Sequence, residues 1–271
     1  MKTRNLFFDF DGTLTVIENI VTFDGKQTAK PIIPQENFDA LLEAKERGYQ
    51  LFLCTGRAKG SLKNAFVRYP LLKDIPWDGM ICGASDMWYH GNRIAITYFS
   101  EEECMKWIDY SVKTKSEFHY NGTESWENIS FQMMDDENEI EAIKAQVREW
   151  LVTNPMTNCA VVPAVDFKFA PNSRATVINM PTYSDIFAEG CNKGSAIQKF
   201  CNLIGVPIEQ TVCFGDSGND IEMFRTCLTS VCMANSPEAL KALSAFVAKG
   251  KYGVAEGIRW LLDQDITAFD S

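Results

Sequence analysis

The chain has 271 residues, 46% hydrophobic and 23% charged, an ordinary globular balance for one large domain or two moderate ones. A formal net charge of −10 repels phosphate backbones and argues against nucleic acid as a partner. It also repels small anions, so a site for phosphate esters would need local positive charge from a metal or a lysine.

Met1-Lys2-Thr3-Arg4 leads into only a short apolar run with no signal-peptide core, and no later run is long enough to cross a membrane. A soluble, cytoplasmic protein is expected. The first strand is expected at Leu6-Phe7-Phe8-Asp9-Phe10, stopped by Asp11-Gly12. A helix follows from Gln35 to Arg47, with Phe38, Leu41 and Leu42 on one face and Gly48 where a C-terminal cap belongs. Tyr49 to Cys54 and Gly79 to Cys82 are further strands, ended by Thr55-Gly56-Arg57 and by Gly83. Late in the chain come Thr211 to Phe214, ended by Gly215-Asp216, and Leu228 to Met233. Short strands apolar on both faces and separated by helices spell a parallel sheet covered on both sides. In such sheets chemistry collects beyond the strands' C-terminal ends, and the polar residues do gather there.

The stretch from Ala84 to Ala188 reads differently. Arg93 to Phe99, Ile129 to Met133, Cys159 to Val162, Asp166 to Phe169 and Thr176 to Asn179 are expected strands. Ser100-Glu101-Glu102-Glu103 has capping-box spacing and opens a helix towards Thr114; Asp136 to Trp150 is a second helix. This is a mixed, antiparallel module inserted into the α/β domain. Nine cysteines without a CxxC pair read as buried free thiols in a reducing compartment, and two histidines, His90 and His119, are too few for a His-rich metal site.

Four segments carry chemistry. In Asp9-Phe10-Asp11-Gly12-Thr13, two carboxylates two apart face one crevice if the backbone turns at Gly12, and their repulsion favours a cation between them. Magnesium suits oxygen ligands and a shared phosphate. One carboxylate can then attack phosphorus while the other moves a proton. A solvated turn is the plainer reading of that segment alone. Thr55-Gly56 can offer a hydroxyl and backbone N–H groups to a phosphate, or be a simple turn. Lys193 opens a helix against the macrodipole, which makes sense if it holds an anion; an exposed lysine is the plain alternative. Gly215-Asp216-Ser217-Gly218-Asn219-Asp220 is a compact loop of oxygen ligands, unlike an EF-hand or a dinucleotide fingerprint.

In this order, each at or beyond an element end, the four resemble the motifs of the haloacid dehalogenase (HAD) superfamily: the DxDGT loop, the threonine, the lysine and the GDxxND loop. The size and placement of the insert resemble the C2 (type IIB) cap of the Cof-type subgroup. Ile33-Pro34, Ile81-Cys82-Gly83-Ala84 and Gly253-Val254-Ala255 agree with that pattern, whereas Gly83-Ala84-Ser85 stands where many relatives read Asn-Gly-Ala. The resemblance implies a doubly wound, Rossmann-like parallel-sheet core at residues 1–83 and 189–271, and an α+β cap at 84–188. It implies a phosphatase that hydrolyses small phosphorylated metabolites. Asp9 would be the nucleophile, Asp11 the general acid and then base. Mg²⁺ would be held by Asp9, the Asp11 carbonyl and Asp216. Asp220 would orient Lys193 or a metal-bound water, and Asn219 would support the loop or the metal. Thr55, Gly56 and Lys193, with N–H groups near Phe10 and Gly12, would bind the phosphate. A phosphotransferase or mutase on the same core, a phospho-receiver and a non-catalytic binding protein are the competing readings. The cap aromatics Trp88, Tyr89, Tyr120, Trp126 and Phe131 read more readily as core than as ligand stackers, and His119 as structural.

Overall fold

The computed structural model describes residues 5–21 and 27–267; Met1 to Arg4, read above for a leader, lie outside the described residues. In chain order the elements begin with β1 (Asn5–Phe8), a distorted helical turn over Phe10–Leu14, β2 (Val16–Val21), β3 (Gln27–Ile32) and α1 (Gln35–Glu46). Next come β4 (Gln50–Thr55), α2 (Lys59–Arg68), α3 (Pro70–Asp74), β5 (Gly79–Cys82), β6 (Asp86–Tyr89) and β7 (Asn92–Ala95). The insert holds α4 (Glu101–Thr114), β8 (Glu117–Gly122), β9 (Trp126–Ser130), α5 (Glu137–Thr153), β10 (Met156–Val162), β11 (Thr176–Asn179) and β12 (Ser184–Phe187). The chain then returns through α6 (Lys193–Ile204), β13 (Thr211–Gly215), α7 (Ile221–Thr226), β14 (Thr229–Cys232), α8 (Glu238–Lys241), β15 (Phe246–Val247) and α9 (Gly253–Thr267).

The large sheet runs β15-β14-β13-β1-β4-β5-β6-β7. The strands from β15 to β5 pair in parallel, and β6 and β7 add an antiparallel edge. β1 lies at the switch point, with Asn5 opposite Thr211 on one side and Gln50 on the other. Its four residues are all buried because they alternate between two cores. Phe7 stacks on Phe52 at 4.8 Å on one face, and Phe8 on Phe214 at 4.5 Å on the other. Aromatic pairs of this kind add to plain area burial, and here they pin the strand whose end carries Asp9. The second sheet, β11-β12-β10-β8-β9, is antiparallel and backed by α4 and α5 around a core of its own.

The Gly48 cap is as expected: its N–H donates to the Lys45 carbonyl, at a φ of +84° that suits glycine. Ser100 caps α4 by accepting from the Glu103 N–H, but the Glu103 carboxylate turns to Lys106 and Ser173 rather than completing the box. The strand expected at Asp166–Phe169 is a turn. The Asp166 side chain accepts from the Lys168 N–H and its carbonyl from the Phe169 N–H, so the aspartate competes with strand pairing. The strand expected to run from Arg93 to Phe99 stops at Ala95, and the Phe99 N–H crosses to the Met156 carbonyl. β9 ends at Ser130, before most of the expected Ile129–Met133 strand. Reading by apolar runs also passed over the β2–β3 hairpin and strands β8 and β12, whose residues alternate with polar ones. All nine cysteines are free thiols, eight of them buried.

Candidate active site

The ends of β1, β4 and β13 and the start of α6 bring the four motif segments to one edge. Asp9 follows β1 directly, and its N–H still continues the ladder to the Phe214 carbonyl at 2.9 Å. The backbone then turns at Gly12, with φ +84°. A Cβ at Gly12 would strike the Asp216 carboxylate, so only glycine lets the two loops close. Thr13 Oγ1 donates to Asp216 Oδ1 at 3.0 Å, tying the first and last motifs together.

Lys193 is the first residue of α6, whose N-cap Asn192 accepts from the Ser195 N–H at 2.8 Å. Its ammonium is 2% exposed and lies 2.6 Å from both Asp9 Oδ1 and Asp220 Oδ1, with Asn219 Oδ1 at 3.2 Å. The plain alternative of an exposed lysine is thus excluded. The other Asp220 oxygen accepts from the N–H groups of Asp216 at 2.9 Å and Ser217 at 3.0 Å. Both Asp220 oxygens are thus engaged, one by the lysine and the other by the loop backbone. Thr55, buried at the end of β4, accepts from the Arg57 N–H at 3.1 Å and lines the cavity described below. The Gly12 N–H, by contrast, donates to Thr15 Oγ1 at 3.1 Å.

Asp11 takes a different direction. Its half-exposed carboxylate is forked by Arg57, Nε to Oδ2 at 2.6 Å and Nη2 to Oδ1 at 2.8 Å, and that guanidinium lies over the Phe10 ring. The bonds to Asp11 outweigh burial and hold Arg57 above its ordinary pKa.

Oxygen atoms of Asp9, Asp216 and Asp220 come within 4.8 Å of one another. Burial pushes the Asp9 carboxyl well up, Lys193 offsets part of that, and the carboxylates of Asp220 and Asp216 add to it. Asp216 is pushed up to about 6, by burial and then by Asp220. Burial pulls Lys193 down, but Asp220 and Asp9 outweigh it and hold the ammonium above its usual value. Three carboxylates facing one ammonium leave two negative charges, a hard-oxygen set that fits a divalent cation such as Mg²⁺. Asp220 is the most heavily bonded of the three, so Asp9 and Asp216 have the oxygens freest to meet such an ion.

A cavity of about 410 Å³ opens above this edge, floored by Asp9, Thr55 and Asn219 and roofed by the second sheet. Asp185, Ala160 and His119 lie in one row across β12, β10 and β8; Phe187, Asn158 and Asn121 form the next. Asn158 Nδ2 donates to the Gly56 carbonyl at 3.1 Å, and Asp185 accepts from Asn219. Burial raises the Asp185 carboxyl to about 6 against the lowering pull of Lys193 and Asn219. Tyr183 on the same wall is pushed up to about 12, by burial and then by Asp185. His119 thus lines the cavity, whereas Tyr120 and Phe131 are core residues and Trp126 is 44% exposed. The sequence reading missed Arg57, Asn121, Asn158, Tyr183 and Asp185 as site residues. For β8 a signal existed: Glu117, His119 and Asn121 alternate with buried Phe118, Tyr120 and Gly122.

The sequence profile of the haloacid dehalogenase-like hydrolases matches residues 6–258. A putative phosphatase of Bacillus subtilis, YxeH, is 24% identical over 276 residues, covering 94% of this chain and 96% of its own. The 5-amino-6-(5-phospho-D-ribitylamino)uracil phosphatase YcsE of the same organism is 24% identical over 270 residues, 94% of each chain. Among solved structures, the HAD subclass IIB sugar phosphatase BT4131 superposes with a TM-score of 0.70 at 21% identity, over 95% of this chain and 98% of its own. Among the described residues no helix is long and apolar enough to cross a membrane. The chain belongs to the haloacid dehalogenase-like hydrolases, among the Cof-type phosphatases.

Proposed function

We propose that the chain hydrolyses small phosphomonoesters, with Mg²⁺, through a phosphoryl group carried on Asp9. The observation behind this reading is the Lys193 ammonium, buried and 2.6 Å from both Asp9 and Asp220. It joins segments remote in sequence where an oxyanion would arrive. An Asp9 oxygen attacks phosphorus; the new Asp9 O–P bond forms as the bond to the alcohol oxygen breaks. Asp11 leaves the Arg57 fork, takes up a proton from solvent, and gives that proton to the departing alkoxide as the bond to phosphorus breaks. A water then attacks the phosphorus, Asp11 takes its proton, and the Asp9 O–P bond breaks to release phosphate. Lys193 and the Thr55 hydroxyl hold the phosphoryl oxygens through both steps. Bound Mg²⁺ would supply charge neutralisation for the phosphoryl group from Asp9, the Asp11 carbonyl and Asp216. The second sheet and its helices serve as the cap, excluding bulk water and contacting the alcohol.

Asp9→Asn tests the reading. Phosphate release from a panel of metabolite esters, measured with Mg²⁺ and with EDTA, is expected to fall by on the order of 10⁴-fold or more, as removal of a covalent nucleophile does. Near-wild-type rates in that variant would remove Asp9 from the mechanism.

A further inference from the structure

The cavity above Asp9 does not end at the cap. Through Arg57, Ser61, His119 and Asn121, which line both spaces, it continues into a groove of about 390 Å³ between α2 and the β8–β9 hairpin. Ser61, Asn64, Ala65 and Arg68 recur at helical spacing along the α2 wall. From Ser61 to Arg68 is seven residues, roughly 10 Å of helix. The facing wall ends in Trp126, aligned across the hairpin with Asn121.

The charge of this groove is out of keeping with the molecule. The protein carries 36 acidic and 26 basic residues, yet among the described residues the groove is lined by Arg57, Arg68 and His119 and by no carboxylate. Arg57 is engaged by Asp11, but Arg68 makes no ion pair among the described residues; its guanidinium lies over Tyr69, 5.5 Å from the ring centre. An arginine in a last helical turn favours the dipole, which accounts for Arg68 alone. It does not account for the half-exposed Trp126 opposite, nor for the lack of an acid among the described residues between them.

Building on the phosphatase reading, we propose that this groove holds a second anionic group on the alcohol part of the substrate. Preferred substrates are then phosphomonoesters bearing another phosphate or a carboxylate far enough from the scissile group to reach the last turn of α2. Arg68 receives the distal anion, and the Trp126 ring forms a flat wall for the carbon skeleton between the two charges. A two-carbon alcohol is too short to use this site.

Matched pairs test it: fructose 6-phosphate against fructose 1,6-bisphosphate, adenosine 5′-monophosphate against adenosine 3′,5′-bisphosphate, and glucitol 6-phosphate against 6-phosphogluconate. The last pair reads carboxylate, the others phosphate. The doubly charged member is expected to have a KM about ten-fold lower in at least one pair. Arg68→Gln should erase that preference by raising only the doubly charged member's KM, and Arg68→Lys should restore part of it. kcat on p-nitrophenyl phosphate, which carries no second anionic group, should stay the same in both variants. No preference in any pair, or an equal loss on both members in Arg68→Gln, overturns the proposal. If p-nitrophenyl phosphate is not hydrolysed at all, the phosphatase reading fails instead. Calorimetric affinity for the same pairs, wild type against Arg68→Gln, then still decides the groove.

Discussion

The two walls of the cavity are built in opposite ways. On the sheet edge the charged groups are interlocked: Lys193 joins Asp9 and Asp220, Asp220 fixes the Asp216 loop, and Thr13 ties Asp216 back to the first loop. Gly12 and Gly215 have no room for a Cβ, which would meet the carboxylates of Asp216 and Asp220 respectively. On the cap face, His119 and Asp185 are only partly buried and few of the polar groups are bonded to the floor. A network in which each charged group is tied to its neighbours tolerates few arrangements. A strand face with spare polar groups can be rewritten to suit another alcohol. On the proposed function, the sheet edge would carry the reaction and the cap face the choice of alcohol.

The largest effect should come from breaking the interlocked side. Lys193→Met leaves Asp9 and Asp220 buried without their ammonium, which typically costs about 3–5 kcal/mol and would lower Tm by about 10 °C. Lys193 is held above its ordinary pKa. Its contribution is therefore fully present at neutral pH and is lost only as pH rises through that raised value. Thermal unfolding of the variant at pH 7 checks this. A Tm within a degree or two of wild type would mean that the site is not held together by this ammonium.

Next comes Asp11, the one motif carboxylate outside the network. Asp11→Asn should slow alkyl phosphates by about 10²–10⁴-fold, the usual worth of a positioned acid or base. p-Nitrophenyl phosphate, whose leaving group needs no proton, should suffer much less. Equal losses on both esters would place Asp11 in structure rather than in proton transfer.

The same contrast explains what could be read from the chain. Asp9, Thr55, Lys193 and Asp216 are legible because each must follow a short apolar strand or open a helix, with glycine where the loop has no room. Those constraints are local and leave fixed spacings. β8 was passed over because its Phe118 and Tyr120 alternate with His119 and Asn121 and form no apolar run. Asp185 was missed because nothing near it in sequence announces that its partner is Asn219 in another layer. The Arg57–Asp11 pair joins residues 46 apart and depends on how two loops meet, which neither segment states by itself.

A smaller effect, opposite in sign, is expected at the cap. Burial raises Asp185 to about 6, so between the unfolded value near 4 and that point the folded state binds more protons than the unfolded chain. Stability then falls as pH rises through this window, and the penalty stays in full above it. Asp185→Asn should remove the penalty, stabilising the protein at pH 7 by about 1 kcal/mol once the solvent-facing side of the carboxyl is allowed for, with little change at pH 4. Urea unfolding at the two pH values reads the difference. Equal shifts at both would locate the effect in packing instead of charge.

The smallest effect belongs to a charged clamp between α2 and the β8–β9 loop. Lys63 on α2 meets Glu124, in the loop between β8 and β9, at 2.5 Å, but the two side chains are 51% and 63% exposed. Water screens such a pair and both side chains must be immobilised to make it, so Lys63→Ala should cost less than ~0.5 kcal/mol. The layers meet more firmly one turn earlier, where a Cβ at Gly60 would lie 2.5 Å from the Ser125 nitrogen and 2.8 Å from the Gly122 carbonyl. That is backbone against backbone, insensitive to salt. Urea unfolding of Lys63→Ala at low and at high ionic strength separates the two contributions. A loss well above 1 kcal/mol that disappears in salt would show that charge seats the cap on the core; no loss in either condition leaves that task to the close approach at Gly60.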